Sequence, residues 1–176
     1  MILLVSVFAG ALVLTARAED TNPVVEARMV AATEGARALA VLRAAVVARI
    51  APGYHINDNK PNRDYLIPTE VKLELPSAFS IEQTVYPKGA LMKLAFADSP
   101  LLVYQGDLRV GVLLKLGKGL KPGIYNIKGK LAYQACNDHA CLPPTSVPLA
   151  LSVHVVRPGA PVRQINADVF RQIKFK

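Results

Sequence analysis

Two cysteines, Cys136 and Cys141, stand with four residues between them in the stretch Lys130-Leu-Ala-Tyr-Gln-Ala-Cys136-Asn-Asp-His-Ala-Cys141-Leu-Pro-Pro144. Thiols at this spacing can do three kinds of chemistry. They can close an inert disulfide that staples the fold. They can form a reactive disulfide, in which one sulfur takes the attack of a foreign thiolate and the other leaves. With His139 between them, they can also offer two thiolates and an imidazole to Cu(I) or Zn. The flanking residues show what holds the pair. From Ile124 to Ala135, Tyr125, Ile127, Leu131 and Tyr133 share one face, and Asn126, Lys128, Lys130 and Gln134 the other. The run after the loop sets Val147, Leu149, Leu151, Val153 and Val155 against Ser146, Pro148, Ser152 and His154. Period-two alternation marks half-buried strands, so the cysteines sit at the closed end of a β-hairpin. Directly opposed hairpin residues have Cα atoms about 4.5–5.5 Å apart, inside the disulfide window of about 4.4–6.8 Å.

A bridge closing a loop of about six residues restricts the unfolded chain by only about 2 kcal/mol. A staple for a domain of this size would do better to join distant strands. The usual activating device, a helix N-terminus at the first thiol, is excluded because Pro143-Pro144 follow at once. His139 is the local helper, since its imidazolium form would stabilise a thiolate, and Asp138 would oppose it. Modest activation, and slow exchange with unselected disulfides, are therefore expected.

The elements that must carry this loop are short and numerous. Met29–Thr33 and Arg37–Ile50 flank Glu34-Gly35, and Glu70–Leu75 alternates until Pro76. Leu91–Ala97 and Leu108–Leu116 come next, before the hairpin. Arg37–Ile50 is rich in alanine, but Val46-Val47 and the turn after it favour strand. Seven or more antiparallel strands with Pro/Gly turns predict an all-β, immunoglobulin-like β-sandwich over residues 29–156. Residues 19–28 read as a flexible start. After Arg157-Pro158-Gly159 the tail 157–176 spaces Ile165, Val169 and Ile173 for a short helix behind an Asn166 cap.

Met1 to Leu14 is apolar and Ala16-Arg17-Ala18 offers small residues for a peptidase, so 1–18 reads as a signal peptide cleaved after Ala18. Export to an oxidising compartment, without stable membrane insertion afterwards, follows from that reading. The chain carries 21 basic and 13 acidic residues, a net charge of +8. These charges are scattered and lack interleaved aromatics, which speaks against nucleic acid and for a solvated face. A Gly-x-Ser-x-Gly elbow, a phosphate loop and a paired-carboxylate site are absent from the sequence, and no cofactor is expected.

Tyr133-Gln134-x-Cys136 and Cys141-x-Pro143-Pro144 resemble the redox loop of the N-terminal periplasmic domain of DsbD-type thiol:disulfide interchange proteins. Pro52-Gly53-Tyr54-His55-Ile56-Asn57, Tyr65-Leu66-Ile67-Pro68-Thr69 and Lys121-Pro122-Gly123-Ile124-Tyr125 extend the resemblance over roughly Ala38 to Val155. Two departures stand out. The loop is one residue shorter than in the family's familiar form, and the membrane and thioredoxin-like domains of its long members are not expected here. The resemblance implies a periplasmic protein-disulfide reductase or electron-transfer module on an immunoglobulin-like sandwich. Cys141 would form the mixed disulfide and Cys136 would resolve it. Oxidised thioredoxin-like periplasmic proteins would be the acceptors, and a membrane or thioredoxin-like protein the donor. Tyr133, Gln134, His139, Leu142, Pro143 and Pro144 would shape the loop. The segment from Pro87 to Tyr104, with Phe96 as shield, would cap it. Tyr54 and His55 match positions near the site, where packing is the expected role. An interaction module with a structural disulfide, and a copper or zinc module using Cys136, His139 and Cys141, remain open alternatives.

Overall fold

The computed structural model describes residues 23–176, so the signal peptide expected over 1–18 and the first residues of the loose start lie outside the described residues. Eleven strands follow in order: β1 (Val25–Ala31), β2 (Val41–Ile50), β3 (His55–Asn57), β4 (Glu70–Glu74), β5 (Phe79–Val85) and β6 (Ala90–Met92), then β7 (Leu101–Tyr104), β8 (Asp107–Leu116), β9 (Gly123–Tyr133), β10 (Ala135–Cys136) and β11 (Thr145–Val155). They pair antiparallel in three sheets, ordered β1-β2-β8-β5, β11-β9-β4 and β10-β3-β7-β6. The result is an all-β, immunoglobulin-like sandwich.

Alternation builds the main core. Leu42, Ala44, Val46, Ala48 and Ile50 of β2 and Leu108, Val110, Val112, Leu114 and Leu116 of β8 are buried together with Ile127, Leu131, Leu149 and Val153 of the facing sheet. Each such Val, Leu or Ile side chain contributes about 1.5–3 kcal/mol by leaving water. The outer face of β2 is covered as well. Val169, Phe170 and Ile173 of the tail close over Val30 and Ala45. Gly111 on β8 makes room for the tail, because a Cβ there would lie 2.5 Å from Ile173 and 2.7 Å from Phe175. A small satellite cluster of Leu66, Leu94, Leu101 and Val103 sits beneath the β6–β7 connection.

Several boundaries differ from the sequence reading, each for a physical reason. β1 begins at Val25, because Val25 is buried and pairs with Ile50. The segment before Val41 is a turn in which Leu39 adopts φ 63°. The run Leu91–Ala97 is strand only through Met92, and its later residues turn inward at the buried Leu94. The tail helix is α1 (Ala167–Phe170), a single turn. Asn166 makes no side-chain cap to it; its Nδ2 donates instead to the Ala31 carbonyl at 2.9 Å. Among the described residues no helix is long and apolar enough to cross a membrane.

Candidate functional site

β9 and β11 run in register from Gly123–Val155 to Tyr133–Thr145, and there the ladder ends. The chain does not continue as one strand to Ala135, as the alternation suggested. Gln134 breaks away, and Ala135-Cys136 pair instead with Ile56 and His55 of β3 in another sheet. The break is fixed by Asn57. Its backbone N–H donates to the Gln134 carbonyl at 3.4 Å, and its Nδ2 donates to Gln134 Oε1 at 3.4 Å and to the Ile67 carbonyl at 2.9 Å. Gln134 then reaches forward, Nε2 donating to the Leu142 carbonyl at 3.2 Å. One side chain thus ties the entry of the loop to its exit.

Within the loop, Cys136 and Cys141 face each other as a bridge pair and are joined by a disulfide, with Cα atoms 3.9 Å apart. That separation is closer than the expected hairpin spacing. The turn between them is held by its own bonds. The Asn137 N–H donates to the Ala140 carbonyl at 3.0 Å, and Leu142 N–H to the Ala135 carbonyl at 2.8 Å. Asn137 Oδ1 accepts from the N–H groups of His139 and Ala140, each at 2.9 Å. At about 0.5–1.5 kcal/mol net for each bond, these contacts together rival what the bridge contributes. Opening the disulfide therefore need not dissolve the loop.

The two sulfurs occupy opposite environments. Cys136 is 1% exposed, whereas Cys141 is exposed, as are its neighbours Leu142, Pro143 and Pro144. Of the two residues Cys141 is the one at the surface, and Cys136 is enclosed. Tyr133 is buried, and burial raises its phenol pKa. His139 lies exposed at the tip of the turn. Phe96 sits in the turn after β6, 43% exposed. Among the described residues no group of three or more His, Cys, Asp or Glu side chains is arranged to hold a metal ion.

Three residues near the loop carry more than sequence reasoning assigned them. Asn137 organises the turn, and an Asn directly after the first cysteine is a recognisable side-chain-to-backbone turn signal. Asn57, completely buried, places β3 against Gln134. His55, also buried, stands opposite Cys136. Burial lowers its pKa, and the nearby Asp138 carboxylate partly offsets that.

Comparison with known proteins places these features in a family. The family model described as "Thiol:disulfide interchange protein DsbD, N-terminal" matches residues 6–152. Among solved structures, the N-terminal periplasmic domain of ScsB from Proteus mirabilis is 16% identical with a TM-score of 0.53. The match covers 76% of this chain and 48% of that one, so the chain spans about half the length of that protein. The DsbD N-terminal domain of Neisseria meningitidis in its reduced form is 21% identical with a TM-score of 0.42, covering 72% and 85% of the respective chains. A search of curated proteins found no match.

Proposed function

This chain belongs to the family of the N-terminal domain of thiol:disulfide interchange protein DsbD, and from that premise we propose that it passes reducing equivalents through Cys136 and Cys141 to an oxidised protein partner in the periplasm. The observation that carries the reading is the asymmetry of the pair, one sulfur buried and the other exposed. A donor thiolate attacks Cys141 Sγ, the bond to Cys136 breaks, and Cys136 leaves with the electron pair. A second donor thiol then releases the domain as a dithiol. In the delivering half, the Cys141 thiolate attacks the acceptor's disulfide, and Cys136 attacks Cys141 to expel the reduced acceptor. Donors and acceptors of thioredoxin type fit this scheme, because they present one exposed sulfur. Leu142, Pro143 and Pro144 form the contact surface around Cys141. Tyr133 and Gln134 hold the loop's base, His139 lies at its rim, and Phe96 is the shield against adventitious oxidation.

The closed loop bonding at Asn137 and Leu142 favours exchange over an inert staple, since the turn does not depend on the bridge. Single-cysteine variants test the reading. Cys136→Ser should accumulate a mixed disulfide with a thioredoxin-like partner, because the resolving thiol is gone, and Cys141→Ser should trap none. Equal trapping by both variants, or by neither, would refute the assigned order. A folded wild-type chain that resists thioredoxin-like reductants would refute the exchange function itself.

A further inference from the structure

Exchange puts charge where this fold can least hold it. When a foreign thiolate takes the sulfur of Cys141, the displaced electron pair lands on Cys136, which is 1% exposed. When Cys136 later resolves a mixed disulfide, it must first lose its proton inside the protein. A buried unpaired charge is costly, and Cys136 ends a strand rather than starting a helix, so no helix N-terminus stabilises its thiolate.

His55 stands directly across the β3–β10 ladder from Cys136. Opposed residues of an antiparallel pair project to the same face with Cβ atoms about 4.5–5.5 Å apart, within reach of an imidazole. His55 is itself 1% exposed, and its Nε2 has no hydrogen-bond partner among the described residues. A buried orphan nitrogen calls for an explanation. The β3–β10 pairing sets His55 beside the cysteine turn, and the charge of Asp138 in that turn bears on the ring.

Building on the exchange reading, we propose that His55 is the proton partner of Cys136. In the resolving step the S–H bond of Cys136 breaks and its proton passes to Nε2. The sulfur's electron pair forms the Cys136–Cys141 bond, while the bond from Cys141 to the partner sulfur breaks and its pair leaves on the partner as thiolate. The imidazolium then returns its proton to water or to that thiolate. In the opposite half-reaction the donor thiol loses its proton as it attacks Cys141, the pair of the Cys136–Cys141 bond leaves on Cys136, and neutral His55 takes up that proton and passes it to the Cys136 sulfur. Two electrons pass between partner and cysteines, and His55 ends each cycle as it began. Burial keeps the ring neutral near neutral pH, which makes it an acceptor at rest. The ionisable groups on the surrounding elements are Asp138 and His139 in the turn, Tyr104 on β7, Tyr133 ending β9 and Asp58 after β3. Among these, Asp138 is the one whose charge acts on the ring.

The test uses the reduced full chain and a dithiobis-nitrobenzoate reagent. The first release of thionitrobenzoate reports attack by Cys141, and the second reports resolution by Cys136. From about pH 5 to about pH 9, a span covering His and Cys titration, the wild-type second phase should level off above the His55 transition. His55→Gln and His55→Phe should slow that phase near neutrality on the order of 100-fold and make it climb steadily with pH, leaving the first phase unchanged. A second phase with wild-type rate and pH profile in both variants would overturn the proposal. Should both variants fail to fold, ring nitrogen resonances of wild-type His55 supply the decision. Its titration must move between the disulfide and dithiol states, and an unmoved titration overturns the assignment. A wild-type chain with no second release would sink the exchange reading, and this proposal with it.

Discussion

Replacing each cysteine by serine removes the same covalent bond but should not cost the same stability. The bridge closes a loop of about six residues, so its loss relaxes a constraint on the unfolded chain of about 2 kcal/mol. The loop's backbone bonds, from Asn137 to Ala140 and from Leu142 to Ala135, survive the change. Cys141→Ser places a hydroxyl at an exposed position, where water satisfies it, and should lose only that amount. Cys136→Ser places the hydroxyl at a site that is 1% exposed, adding about 1–3 kcal/mol if it finds no partner. The chain has no tryptophan, so urea unfolding is best followed by far-ultraviolet circular dichroism. With a slope of about 2 kcal/mol per molar urea, the midpoint should fall by about 1 M for Cys141→Ser and for the reduced wild type, and further for Cys136→Ser. Equal losses in the two variants would contradict the assigned burial. A loss in reduced wild type far beyond about 2 kcal/mol would make the bridge a staple and count against the exchange reading.

Three further outcomes follow from the packing. Gly129→Ala in β9 should destabilise the three-stranded sheet by about 1–3 kcal/mol, because a Cβ there would sit 2.7 Å from Leu73 Cδ2 and collide with the Lys72 carbonyl; unchanged thermal unfolding would refute this. Tyr104→Phe should cost about 1–3 kcal/mol, since the hydroxyl accepts from the Asn59 N–H and lies 3.0 Å from Asn59 Oδ1 and 3.1 Å from the Pro87 carbonyl. Burial raises that phenol's pKa, so a tyrosine titrating late in ultraviolet absorbance should vanish in the variant. The pKa of His55 is lowered in the folded state, so between that value and its unfolded value of about 6.5 the unfolded chain binds more protons, and stability should fall as pH drops through this window. His55→Phe should flatten that part of the stability profile, and an unchanged slope would remove His55 as its source.

The large strands were legible because half-buried strands advertise themselves by alternation. β9, β11 and β8 read directly from Tyr125–Tyr133, Val147–Val155 and Leu108–Leu116, and these strands do carry the buried faces. The short strands β3, β6, β7 and β10 left little signal, since two to four residues show no period and tertiary pairing alone holds them. Phe79–Val85 went unread for another reason. Its pairing with β8 shifts between Ile81 and Gln83, which breaks the alternation that would have revealed it. The Asn166 cap failed because its backbone is left-handed, φ 53°, rather than in the extended region a capping residue adopts. At the site, the cysteine pair and its proline frame stood out in the sequence. The partners that position them, Asn57 and His55, lie some eighty residues away and become neighbours only through the β3–β10 ladder.

That ladder also explains how the asymmetry of the two sulfurs arises. Had β9 run straight on, Tyr133 and Ala135 would have faced inward and Cys136 outward, by the strict two-residue period of a strand. Both cysteines would then have been open to solvent, and either could have taken an incoming thiolate. Leaving the β9–β11 sheet at Gln134 resets the register. Ala135 and Cys136 are both buried, being consecutive residues in a two-residue strand against β3. The turn through Asn137 to Ala140 then brings Cys141 back over Cys136 from the solvent side. In the proposed exchange the order of attack would follow from the sheet change, and the Asn57–Gln134 contact would then matter to it as much as the sulfurs. Asn57→Ala, which frees Gln134, should let the loop slip toward the uninterrupted hairpin. Alkylation of reduced Cys136 should then accelerate relative to Cys141, and an unchanged ratio of the two rates would show that the register is held by other contacts.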